Sequence, residues 1–184
     1  MPTTPGGDMR NTQDGFAGPA PRGVRGAIAA GPPLPIEGSV ELEMPVERLW
    51  EAFVDVERWA QWNPCIWRSG VRGGELRRGA TLVWAFNAIK PRYLYKMPAS
   101  AEIVEFERHD RVTWEVRFPG FHALHSYRFA GLGPDRCRFG SWEVAEGRAY
   151  RATRRFWIAH FRYVCRASLA GAEALATLPP PFDS

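Results

Sequence analysis

Two segments in the second half of the chain place a histidine and a glutamate where they can exchange protons with a bound molecule. HALHSYRFA (122–130) and RCRFGSWEVA (136–145) both alternate, with Arg128 in the first and Arg136 and Arg138 in the second marking the solvent side. The opposite side then carries His125, Tyr127 and Phe129 from one segment and Cys137, Phe139, Ser141 and Glu143 from the other. GLGPD between them is a hairpin turn, so the two segments pair and His125, Tyr127 and Glu143 share one wall. A histidine and a glutamate in a poorly solvated pocket can serve as general base and general acid. The competing reading is a buried polar pair that satisfies itself, or a glutamate capping backbone amides near Gly147. A bulge of one residue in either strand would reverse the parity on which both readings rest.

Other chemistry-bearing residues point to less. His122 and His125 are three apart in a strand, which puts their rings on opposite faces, so HALH is no metal site. Cys65, Cys137 and Cys165 are isolated and odd in number, without CxxC spacing, and read as free thiols. His160 lies between a basic and an apolar stripe of a helix, near Trp157 and Tyr163, as a polar ligand contact or a surface histidine. Tyr93 and Tyr95 in KPRYLYKMP are candidates for a lid or sit in an ordinary connection. Serine-hydrolase, phosphate-loop and dinucleotide signatures are absent, and no cofactor is expected.

Around the candidate pair the sequence supplies many aromatic side chains: 13% of residues, with eight tryptophans and eleven phenylalanines. So many rings need a large core or an aromatic-lined cavity. By parity Trp84, Phe86, Trp114, Phe118, Tyr127 and Phe129 face the same way as His125. Trp157 and Phe161 lie on one helix stripe. Together with His160 these are the candidate ligand-binding residues. WAQWNPCIW (59–67) adds three more tryptophans, of which Trp59 and Trp62, like Trp50, read as packing or cavity floor.

The elements that must position these groups follow from period and punctuation. Residues 1–35 hold seven glycines and seven prolines and read as a disordered extension. Residues 36–178 are the folded unit and 179–184 a tail behind Pro179-Pro180-Pro181. Val40–Met44 alternates as a strand, and Pro45 opens a helix with Val46, Leu49, Trp50, Phe53 and Val54 at helical spacing. A second short helix ends at Asn63-Pro64. Strands are expected at 65–71, 80–87, 101–108, 111–118, 122–130 and 136–145, with His109-Asp110 as a two-residue hairpin turn. From about Arg148 to Leu178 the chain reads as one long helix. Arg148, Arg151, Arg155, Arg162 and Arg166 form a basic stripe on it, and Trp157, Phe161, Val164 and Ser168 an apolar one. Hairpins with helices set apart imply an α+β fold in which a curved antiparallel sheet can enclose a cavity against the long helix.

A net charge of +4, spread along the chain without a basic block, argues against nucleic acid as a partner. No apolar run reaches the roughly 20 residues that span a bilayer, and the N-terminus lacks a signal pattern, so no stable membrane insertion and a cytoplasmic location are expected. The arginine stripe is a solvated face or a docking site for an acidic protein or an anionic membrane surface.

The element order, the opening MPVERLWEAFVDVERWAQWNP (44–64) and the late passage WEVAEG (142–147) resemble the SRPBCC superfamily, the START-like or helix-grip proteins. The resemblance covers about residues 38–178, with Pro45, Trp50, Asp55, Trp62, Asn63 and Pro64 at the matching positions of the opening. It implies a seven-stranded curved antiparallel sheet wrapped around a long C-terminal helix, with two short helices after the first strand. It implies a small hydrophobic or aromatic ligand between sheet and helix, handled by a carrier or a polyketide cyclase/dehydrase-like enzyme. The same superfamily includes co-chaperone-like interaction modules, the alternative from a different class.

Overall fold

The computed structural model describes residues 35–87 and 96–177, so Tyr93 and Tyr95, the N-terminal extension and the tail lie outside the described residues. The chain runs β1 (Ile36–Leu42), α1 (Val46–Val54), a 3-10 turn (Val56–Arg58), α2 (Trp59–Trp62), β2 (Ile66–Arg72), β3 (Thr81–Phe86), β4 (Met97–Glu107), β5 (Arg111–Phe118), β6 (Phe121–Gly133), β7 (Arg136–Glu146), α3 (Arg148–Ala152) and α4 (Arg154–Thr177). The seven strands make one antiparallel sheet in the order β1-β7-β6-β5-β4-β3-β2. It is the helix-grip arrangement: a curled sheet closed by the long C-terminal helix.

Several expected boundaries need correction: β4 begins at Met97, not 101, and the loop between β4 and β5 is the three residues 108–110, not two. The first strand begins at Ile36, earlier than 40, because every residue from Ile36 to Leu42 pairs with β7. The expected single helix from 148 is two helices. Thr153 ends α3 with φ −117° and ψ 21°, and its Oγ1 donates to the Ala149 carbonyl at 2.7 Å. A hydroxyl bonded back to the preceding turn competes with the helical ladder and bends the chain where no proline or glycine marks a stop. Arg148 and Arg151 therefore sit on α3, and Arg155, Arg162 and Arg166 on α4. All five are exposed.

The core fills one end of the concave face. α1 begins after Pro45 and turns Leu49, Trp50 and Phe53 inward. Phe53 meets Trp59, Tyr127, Phe129 and Phe139 at 5.0 to 6.2 Å between ring centres, which fills that end with interlocking rings. α4 lies on β1 and β7. It also crosses α2 at Gly171, where a Cβ would collide with the Trp62 carbonyl. Only glycine permits that approach.

A buried polar knot fixes the same crossing. Asn63 Nδ2 donates to Ser168 Oγ at 3.0 Å, Asn63 Oδ1 accepts from the Cys65 amide at 3.2 Å, and Tyr127 bonds Ser168 at 2.7 Å. Trp59 Nε1 donates to the Phe53 carbonyl at 2.6 Å. Trp59 is thus a packing residue, whereas Trp67 is 48% exposed. No described helix is long and apolar enough to cross a membrane.

Candidate functional site

The concave face is built in rungs. Across β5, β6, β7 and β1 the register aligns Trp114, His125, Glu143 and Ile36, and one rung deeper Val112, Tyr127, Ser141 and Gly38. β6 and β7 keep an unbroken register from His122 to Gly131, and their irregularity falls beyond it, between Gly131 and Gly133. The parity of His125 and Glu143 therefore holds, and the two residues are direct cross-strand partners.

Outward of the deep rungs the space between sheet and α4 is a cavity of about 830 Å³. Trp84, Phe86, Trp114, His125, Glu143, Trp157, His160 and Phe161 line it. Phe118 stands at its open end, 45% exposed and stacked on Phe121 at 4.4 Å. Tyr127 lies deeper, on an adjoining void of about 20 Å³ that it shares with Phe53, Trp59 and Trp62. Phe129, expected among the ligand contacts, is instead enclosed by Trp50, Phe53 and Phe139 in the filled end. Its face is as expected, but its depth along the strand takes it away from the cavity.

The electrostatics of the pair come from burial. Glu143 Oε2 and His125 Nδ1 are 3.6 Å apart, too far for a good hydrogen bond to repay desolvation of both charges. Burial pushes the Glu143 carboxyl well above the usual carboxylate range. Burial, with a smaller contribution from His160, pushes His125 down to about 3. Burial likewise takes His160, edge-on to Phe86 at 4.7 Å, down to about 4. Burial thus favours the uncharged form of each group, a carboxylic acid beside a neutral imidazole.

In its Nε2–H tautomer His125 donates to Ser141 Oγ at 3.0 Å and leaves the Nδ1 lone pair on the side of Glu143. Tyr127 stacks on the other side at 4.4 Å and Trp114 lies 4.9 Å away, which fixes the ring plane. One proton donor and one proton acceptor thus face a largely apolar space, the components of acid–base catalysis on a carbonyl or hydroxyl compound.

Ser141 was on the inward-facing set, yet nothing in the sequence marked it as the histidine's partner. Phe121 could have been found by extending the alternation of Ala123 and His125 back one step. Arg68, Arg72 and Arg117 also reach the cavity lining and bring positive charge to it. His122 lies on the opposite face, bonded to Glu115 at 2.6 Å and Glu146 at 3.3 Å. Among the described residues no group of three or more His, Cys, Asp or Glu side chains is placed to hold a metal ion.

Residues 34–177 match the family model described as polyketide cyclase / dehydrase and lipid transport. No curated protein matches the sequence. Among solved structures, the fold is similar to the Zhui aromatase/cyclase from Streptomyces sp. R1128, at TM-score 0.63 and 14% identity over 77% of this chain and 92% of that one. It is similar to a START superfamily protein from Mycobacterium smegmatis, at TM-score 0.56 and 16% identity over 77% and 98%. It also resembles the di-domain ARO/CYC BexL of the BE-7585A biosynthetic pathway, at TM-score 0.61 and 18% identity, with 79% of this chain against 50% of that one. At such identities the likeness is one of fold.

Proposed function

The chain belongs to the polyketide cyclase/dehydrase and lipid transport family, and from that premise we propose that it binds a small, mainly apolar or aromatic molecule between the sheet and α4 and moves protons on it. The observation that carries this reading is the rung Trp114–His125–Glu143, which faces about 830 Å³ of open space. A volume of that size suits a drug-sized ligand, and a few polar groups in an aromatic wall orient it.

The chemistry follows from the protonation states. Neutral His125 takes a proton from a carbon beside a carbonyl. Glu143 gives its proton to the oxygen that leaves as water. Transfer of the captured proton from imidazolium to carboxylate, once the 3.6 Å gap closes to hydrogen-bond distance or a water bridges it, restores the starting pair. Dehydration and aldol-type ring closure need little else than this exchange in a shaped pocket that excludes water. A cavity that binds without turnover makes the protein a carrier. The buried free thiols Cys65, Cys137 and Cys165 support residence in a reducing compartment such as the cytoplasm.

The test is native mass spectrometry of protein purified from its own host, followed by titration with an environment-sensitive dye such as ANS and a panel of apolar ligands. A co-purified small molecule and saturable quenching of tryptophan fluorescence are expected. Absence of both would overturn the reading in favour of an interaction module. One feature supports that second reading, the cationic, aromatic surroundings of the cavity mouth.

A further inference from the structure

Between Glu146 and Glu173 the chain has six arginines and no carboxylate: Arg148, Arg151, Arg154, Arg155, Arg162 and Arg166. All six are exposed, and among the described residues none of them is in an ion pair. Two large apolar side chains protrude in the same region, Phe118 at 45% exposure and Phe156 at 42%. They belong to one aromatic chain. Phe118 stacks on Phe121, Phe121 meets Trp157 at 4.5 Å, and Trp157 meets Phe156 at 5.2 Å.

Phe118, Phe121 and Trp157 line the cavity, so this chain is its lip. Arg117 and Arg151 share an open depression with Phe118 and Phe121 beside that lip. The nearest carboxylates are engaged, Glu115 by Arg117 and His122, and Glu146 by His122. Protruding rings therefore stand at the mouth of the cavity, with the unpaired Arg151 in the depression beside them and the other exposed arginines further along α3 and α4.

We infer that this rim docks the protein on an anionic phospholipid surface, with Phe118 and Phe156 in the headgroup layer and the arginines on lipid phosphates. Three features favour lipid over an acidic protein. A protein partner must offer a fitted pocket for each protruding ring, whereas a bilayer interface accepts amphipathic side chains at any position. The cations are all arginine, whose planar fork binds phosphate oxygens in pairs. The cavity opens on the same rim, so an apolar ligand can pass between bilayer and protein without crossing water. Docking of this kind is adsorption, which needs no spanning helix, and none is found among the described residues; it holds whether or not the cavity performs chemistry.

Co-sedimentation of the full chain with vesicles tests it, using pure phosphatidylcholine and phosphatidylcholine with about one quarter phosphatidylglycerol, at ionic strengths of about 0.05 and 0.5 M. Binding to the phosphatidylglycerol vesicles alone, lost at the higher salt, is the expected result. The double variant Arg151→Glu, Arg155→Glu should weaken partition by about 25-fold or more, roughly fivefold for each arginine removed. Phe156→Ser should weaken it by roughly tenfold. Both variants should keep the wild-type melting temperature and dye affinity.

Equal binding to the two vesicle types, or undiminished binding by the double variant, overturns the proposal. So does binding of polyglutamate through the same arginines with no binding to vesicles, which would make the partner an acidic protein. Loss of dye binding with vesicle binding intact would strike the cavity reading and leave the docking surface standing.

Discussion

The concave face of this sheet has two halves with opposite fates. In the inner half Phe129 and Phe139 pair across β6 and β7 and are covered by Trp50 and Phe53 from α1, so the space is solid. In the outer half His125 and Glu143 pair on the same two strands, only two rungs away, and the space is hollow. Both halves obey one alternation of inward and outward residues. What differs is that α1 covers the first, whereas the second meets the short helices at its inner edge, where Trp59 lies 5.9 Å from Trp114. A fold of this kind is held by the half its short helices fill and does its work in the half they leave open.

The contrast is sharpest for core truncation. Phe53→Ala removes the ring around which four others pack and should cost about 3–5 kcal/mol in chemical denaturation. Phe118→Ala, at the open lip, should cost about 1 kcal/mol or less and show itself in ligand affinity. Equal costs would mean that the outer half is also packed and that the cavity collapses in solution.

Acid should act on the hollow half next. The folded-state value of His125, pushed down to about 3, lies below its ordinary 6.5, so the unfolded chain binds more protons between those limits. Its contribution to stability is complete above about pH 6.5 and is lost as pH falls, by about 3 kcal/mol at pH 4. His160 acts in the same direction. Glu143 acts oppositely, because a raised carboxyl favours folding less as pH climbs past its ordinary value of 4.5. Denaturation of His125→Gln at pH 7 and pH 4 should show a difference about 3 kcal/mol smaller than in the wild type. An unchanged difference would mean that His125 is already protonated in the folded protein, as an ion pair with Glu143.

How much of this was legible in the sequence divides along the same line. Period two identified the inward face of β5, β6 and β7 over 111–118, 122–130 and 136–145, including His125 and Glu143, because side-chain direction is a local property of a strand. Depth is not local. Phe129 and His125 have the same parity, and only the docking position of α1 separates a core ring from a cavity wall. The helix break at Thr153 was equally hidden, since a threonine bonded back to its own helix leaves no glycine or proline to read. The lip was missed at Phe121 because the strand was begun one residue late.

If the hollow half is catalytic, the third effect falls on turnover. Glu143→Gln and His125→Ala should each slow a substrate's conversion by roughly 10²-fold or more while changing its binding much less. Ser141→Ala, which frees the imidazole from its Nε2 acceptor, should do so to a smaller extent and shift the acid limb of the pH–rate profile. Turnover that survives both Glu143→Gln and His125→Ala would remove the pair from the mechanism and point to His160 and Tyr127. Loss of affinity in both, with no turnover to lose, would leave a carrier.

The smallest effect should come from the N-terminal segment. Residues 1–35 have 14 glycines and prolines, too few apolar side chains to bury, and the family match begins only at residue 34. β1 pairs with β7 from Ile36 onward, so a chain starting at residue 35 keeps the whole edge strand, including Ile36 opposite Glu143. Deleting residues 1–34 should therefore shift the melting temperature by no more than about 2 °C, equivalent to less than about 1 kcal/mol for a chain of this length. A fall of about 10 °C would show that the extension packs on the folded unit. Dye titration of the shortened chain then locates it: packing on the solid half would lower stability and leave dye affinity alone, whereas packing over the mouth would change the rate at which dye enters and leaves with little loss of stability, because the rim contributes little to holding the fold together.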